Sequence, residues 1–182
     1  MSSLLEMPAI RQRAARLSIE EYHRLGELPV ELLRGTLIEK MSKSPLHQFC
    51  IDQLRTILTA QIQPPLILRQ EGPLTFADSE PEPDLAILVG PISKYRTTHP
   101  ATAELVIEVA VSSREIDRVK AAIYAEANVK EYWIVCPEEK EVEVFHKPTP
   151  SGYTDRIIAS ASSVLESSAL PGIRLDLTQI FS

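Results

Sequence analysis

A mixed α/β (α+β) fold follows from three features of the 182-residue sequence. LAILV (85–89) and LVIEVAV (105–111) are apolar at nearly every position of both parities, the mark of strands covered on both faces and central in a sheet. One helical pattern precedes them and another follows residue 113. Beyond residue 130, EYWIVC and EVEVFH alternate as a hairpin that extends the sheet. With 44% hydrophobic and 24% charged residues, one domain with a full-sized core accommodates the chain: residues 1–17 are expected to be a flexible arm and 18–182 the domain.

In order along the chain, the first 16 residues carry Arg11, Arg13 and Arg16 and no continuous apolar core, which argues against a secretory signal. Ser18 and Glu21 form a capping-box pair for a short helix through Leu25. ELLRGTLIEKMS reads as two short strands turning at Arg34-Gly35, with Glu31, Leu33, Leu37 and Glu39 to one side. Ser44-Pro45 supplies an N-cap and a proline at the first helical position. The helix it opens runs to about Ile62 on a stripe of Ile51, Leu54, Leu58 and Ile62, and His47 falls on that stripe. Pro64-Pro65 ends it.

LILRQEGPLTF reads as a strand, a bend at Gly72-Pro73 and a second strand, followed by an acidic turn that delivers Asp84 to the entrance of the next strand. Residues 91–100 read first as an ordinary solvated loop, and their Lys94, Tyr95, Arg96 and His99 are also the best local place to meet a phosphate backbone. Asn128 marks a left-handed helix end, 137–140 a hairpin turn, 153–160 a further strand, 161–169 a polar, serine-rich loop, and 172–177 a short strand before a half-turn begun by Asp176. The hairpin's outer strand, EVEVFH, is a candidate sheet edge, and a homodimer covering it is expected.

Within 105–111 the exception is Glu108, and an unpaired buried carboxylate costs several kcal/mol. By parity Asp84, Ala86 and Leu88 share a face, as do Val106, Glu108 and Ala110, so neighbouring strands would let both carboxylates converge. Ser112 or Ser113 can cap the following helix. On that helix Ile116, Val119, Ile123 and Ala127 gather on one side, with Lys120 at the edge of the apolar sector and Asp117 and Tyr124 on its outer flank. A buried carboxylate and a largely buried ammonium on consecutive elements mark a candidate site.

The formal net charge of −6 removes the basic excess of a non-specific nucleic-acid binder, so a phosphate-bearing partner must be met by a local basic strip or through a bound cation. Cys50 and Cys136 lack the close spacing of metal or redox motifs and read as buried free thiols, which suits a cytoplasmic location. No apolar run approaches the roughly 20 residues of a membrane span.

Pro83-Asp84, Glu108 and Lys120, in that order and spacing, resemble the PD-(D/E)XK nuclease superfamily, and within it the Uma-type branch of restriction-endonuclease-like proteins. The likeness covers residues 18–181 through ELLRGTLIEKMSKSPLH, PEPDLAIL, LVIEVAVSS, DRVKAAIYAEANVKEYWIV and LPGIRLDL. The superfamily's usual lysine stands two residues after the glutamate, where this chain has Ala110; the branch places it on the following helix, which matches Lys120. The resemblance implies a restriction-endonuclease-like mixed sheet flanked by helices. It also implies Mg²⁺, or Mn²⁺ in its place, held by Asp84, Glu108 and the Val109 carbonyl, with Lys120 orienting the attacking water. Glu31 or Glu39 resembles the superfamily's early acidic residue, and His47 would support the site. A DNA-hydrolysing enzyme is one expectation; the other is the same fold kept as a binding or assembly module, its acidic cluster serving structure.

Overall fold

A computed structural model describes residues 16–182. Most of the expected arm, residues 1–15, lies outside the described residues, while Leu17 already donates to the backbone of Gly35 (2.9 Å). The elements are α1 (Ile19–Arg24), β1 (Val30–Leu33), β2 (Thr36–Glu39), α2 (Pro45–Gln61), β3 (Leu66–Gln70), β4 (Leu85–Val89), β5 (Leu105–Val109), α3 (Arg114–Glu126), β6 (Glu131–Cys136), β7 (Glu141–Thr149), β8 (Gly152–Ser160), β9 (Val164–Glu166), β10 (Arg174–Asp176) and α4 (Leu177–Ile180). Six strands form one mixed sheet in the order β3-β4-β5-β6-β7-β8, antiparallel except for the parallel β5–β6 pair that α3 connects.

Strand parity assigns the two faces. Leu85, Ile87, Leu105, Ile107 and Trp133 pack with Ile51, Leu54 and Leu58 of α2 and with the C-terminal segment. Ala86, Leu88, Val106, Tyr132 and Ile134 pack with Ala121 and Tyr124 of α3. Helices therefore cover both faces, as the doubly apolar strands require.

Local signals acted as expected at the helix starts. Ser18 and Glu21 complete a capping box on α1, and the Ser44 side chain accepts from the His47 amide at the head of α2. Ser113 differs: it stands at the N-cap of α3, but its hydroxyl donates to Asp117 (2.5 Å) and caps no backbone amide.

Three expectations are corrected. The stretch after Gly72-Pro73 forms no strand, because Leu74 and Phe76 bond back to Pro81 and Ser79 across a turn. The serine-rich segment is not simply a loop, since it contains β9, which pairs with β10. The hairpin's outer strand β7 is not an edge, because β8 covers it, and the homodimer expectation loses the premise on which it stood. The basic loop 91–100 leaves the far end of β4 from Asp84, with Tyr95 bonded to Val89.

Glu131 explains why the serine-rich segment is ordered. Fully buried, its carboxylate accepts from the Trp133 indole (2.8 Å), the Ser167 hydroxyl (2.8 Å), the Ser168 hydroxyl (3.1 Å) and the Ala169 amide (2.9 Å), tying that segment to the sheet. Glu131→Leu is expected to destabilise the protein by at least about 2 kcal/mol, since buried donors are left unmatched. Urea unfolding measures it, and a variant as stable as the parent would remove the staple.

Candidate active site

Asp84 enters β4 opposite Glu108, because the antiparallel register pairs Leu85 with Ile107 and Ala86 with Val106. The backbone amide of Asp84 donates to Glu108 Oε2 (3.2 Å), and the Val109 amide donates to Asp84 Oδ2 (2.8 Å). Each carboxylate is thus fixed by the other strand's backbone, and both lie on the face covered by α3.

α3 brings Lys120 onto them, although its phase is not the one the apolar residues suggest. Val119 is 62% exposed, while Asp117, Lys120, Ala121 and Tyr124 form the buried face. Lys120, 5% exposed, places Nζ 3.0 Å from Glu108 Oε1, 2.9 Å from Glu31 Oε2 and 3.7 Å from Asp117 Oδ1. The Tyr124 hydroxyl adds a bond to Glu108 Oε1 (3.0 Å). Mutual neutralisation offsets the burial of Lys120 and Asp117, and the tyrosine ring fills the space that a more apolar face would have filled. Asp117 and Tyr124 are the members of the cluster that sequence reasoning left out. Their signal was present: Asp117, Lys120, Ala121 and Tyr124 stand at helical spacing.

Glu31, not Glu39, lies within the cluster. The two-residue turn at Arg34-Gly35, both with positive φ (53° and 73°), pairs Leu33 with Thr36 and Glu31 with Ile38. Odd positions of β1 therefore share a face with even positions of β2, which corrects the grouping of Leu37 and Glu39 with Glu31. Glu31 is buried and also accepts from the Glu82 amide (2.6 Å), whereas Glu39 is exposed at the mouth of the cleft.

His47 reaches the same place from the opposite face of the sheet. Its Nε2 is 3.1 Å from Asp84 Oδ2, and its buried Nδ1 has no partner among the described residues. A second support acts at longer range. Glu143, fully buried on β7, accepts from Arg114 and Arg118 of α3 (2.6 and 2.7 Å at closest) and from Arg156 of β8 (2.7 Å), which pins the helix that carries Lys120.

The cluster holds more negative than positive groups: Glu31, Asp84, Glu108 and Asp117 face Lys120, with His47 at the margin. Burial, reinforced by Asp117, Asp84 and Glu31, pushes the Glu108 carboxyl well above the usual range despite Lys120. Burial likewise raises Asp117. Burial disfavours the Lys120 charge, but Glu108, Glu31 and Asp117 outweigh it and raise the lysine as well. Burial is the first cause for both carboxyls, and the crowding of carboxylates adds to it while also raising the lysine; a cation in the cleft would relieve that crowding.

The donor chemistry fits a hard divalent ion. Among the described residues no three His, Cys, Asp or Glu side chains form a preformed metal cage. Two converging carboxylates, Asp84 and Glu108, match instead the habit of Mg²⁺, which binds through one or two carboxylates and completes its shell with water and substrate phosphate.

A family profile described as "Putative restriction endonuclease" (Uma2) matches residues 19–178. The chain belongs to the Uma2 family. The match spans β1, the Asp84 and Glu108 strands and α3. No curated protein sequence matches. Among solved structures, a putative nuclease belonging to DUF820 from Anabaena variabilis is similar in fold, with a TM-score of 0.73 over 91% of this chain and 97% of that one, at 17% identity. The fold is the restriction-endonuclease-like one.

Proposed function

We propose that this Uma2 protein is a Mg²⁺-dependent nuclease hydrolysing phosphodiester bonds in DNA, with its site at the cleft over Asp84, Glu108 and Lys120. The observation that carries the reading is the convergence of two strand carboxylates and a helix lysine on one cleft with uncompensated negative charge. Asp84, Glu108 and the Val109 carbonyl would hold Mg²⁺, which when bound supplies Lewis-acid polarisation of the phosphoryl group and counters its charge. Mn²⁺ is a second ion of suitable chemistry.

The protein's own groups divide the remaining work. Lys120, kept charged by three carboxylates, acts as a hydrogen-bond donor and not as a base: it orients the attacking water and stabilises charge developing on the phosphoryl oxygens. Glu31 and Tyr124 hold the lysine and Glu108 in place. His47 orients Asp84. Water is the nucleophile, and the phosphorus–oxygen ester bond is the one that breaks.

The second reading, a nuclease-like fold serving as a binding or assembly module, has one observation in its favour. The cluster is already bonded internally, with Lys120 bridging Glu31 and Glu108 as a buried ion pair, and such pairs occur without catalysis. Incubation of supercoiled plasmid, linear duplex, single-stranded DNA and RNA with purified protein and Mg²⁺ or Mn²⁺ separates the two. Divalent-dependent cleavage of DNA is expected. Metal binding without cleavage of any of these substrates would transfer the preference to the module.

A further inference from the structure

We infer that Lys40 and Lys43, on the strap joining β2 to α2, contact the sugar–phosphate backbone of duplex DNA, and that Glu82 and Glu71 hold these lysines until the phosphates replace them. The inference rests on the nuclease reading of the cleft and names the groups by which that cleft meets its polyanion.

The strap, residues 40–44, lines the cleft that holds the cluster. Lys40, Lys43, Glu71 and Glu82 all line the same cleft as Asp84 and Glu108. The strap is anchored at both ends, by the Lys40 amide on the Pro29 carbonyl (2.9 Å) and by Ser44, which caps α2. Lys40 Nζ is 2.8 Å from Glu82 Oε2 and Lys43 Nζ is 2.6 Å from Glu71 Oε1.

Charge makes these lysines the ones available. A chain of net charge −6 must neutralise phosphates locally. Of the cationic groups along the cleft, Lys120 is buried among carboxylates and His47 is engaged with Asp84. Lys40 and Lys43 remain, and the basic loop 91–100 leaves the opposite end of β4.

Their present partners are exchangeable. Both pairs are partly exposed, with side chains 33% and 27% accessible for Lys40 and Glu82, and 41% and 34% for Lys43 and Glu71. Exposed pairs of this kind contribute little to stability, so exchanging a carboxylate for a phosphate needs no refolding. Three residues of extended chain span at most ~10 Å, so the two ammonium groups can address neighbouring phosphates of one strand. The glutamates also keep the strap from being a standing basic patch for other anions.

Salt-dependent binding of a fluorescein-labelled duplex of mixed sequence, measured by anisotropy with Ca²⁺ as the divalent ion, tests this. Lys40→Gln/Lys43→Gln is expected to keep the parent's thermal midpoint and to flatten the slope of log K against log salt by about 1.8, two phosphates at about 0.9 each. Glu71→Gln/Glu82→Gln is expected to bind the duplex more tightly than the parent. An unchanged slope in the lysine variant overturns the inference and leaves the nuclease reading standing. A loss confined to single-stranded oligonucleotide overturns the assignment to duplex. Parallel cleavage assays on the unmodified protein distinguish the remaining case: cleavage without salt-dependent binding sinks the strap alone, and neither binding nor cleavage sinks both.

Discussion

Lys120→Met is expected to cost the metal-free protein about 3–5 kcal/mol of stability, and to lower DNA cleavage by folded, Mg²⁺-loaded protein at least ~100-fold. The stability loss follows from the geometry. Lys120 is the cation that Glu31, Glu108 and Asp117 share, at 2.9, 3.0 and 3.7 Å, and removing it leaves those carboxylates uncompensated beneath a helix. Mg²⁺ should restore part of that loss by binding the same negative field. The rate loss has a separate origin, because a methionine of similar shape cannot donate to water or to a phosphoryl oxygen. Urea unfolding with and without Mg²⁺ gives the first quantity, and single-turnover cleavage on protein shown to be folded gives the second. Equal cleavage by parent and variant would remove the lysine from the chemistry, whatever its effect on stability.

How far the site could be read from sequence depended on which periodicity carried it. Strand parity is rigid, since a residue points to one face or the other, so the face-mates of Asp84 and of Glu108 were each legible in their own strand, and the register that pairs Leu85 with Ile107 then joined the two sets on one face. Helix phase is softer. The apolar residues of α3 pointed to a face of Ile116, Val119 and Ile123; the helix does bury Ile123, but it turns Val119 out to solvent and buries Asp117, Lys120 and Tyr124. A polar face can win only where a partner surface satisfies it, and that partner, Glu31, lies 89 residues away on a separate hairpin. No local pattern announces such a contact. The choice between Glu31 and Glu39 was decided by a turn of two residues, since one residue more would have exchanged the faces of β2. The edge at β7 was misread for a similar reason: nothing local to EVEVFH says that the next strand pairs with it.

Asp84 is the cleaner probe of the metal. Asp84→Asn keeps the shape and leaves an oxygen able to accept from the Val109 amide, yet removes one charge from a cluster that has too many. The metal-free variant is therefore expected to be at least as stable as the parent: Asp84 is one of the neighbours that raise Glu108, and removing it eases ionisation there. The response to Mg²⁺ should move the opposite way. An ion that binds only the folded protein stabilises it by about 2.7 kcal/mol at ~100 times its Kd, and Asp84→Asn should lose most of that increment together with cleavage. Glu108→Gln cannot make the same separation, because Glu108 also accepts from Lys120 and Tyr124, and its amide would break the buried network as well as the ion site. Thermal unfolding of parent and Asp84→Asn across a Mg²⁺ and Mn²⁺ series reads both signs at once. A parent indifferent to both ions would leave the cluster as architecture alone, and an Asn variant that responds as the parent does would move the ion away from Asp84.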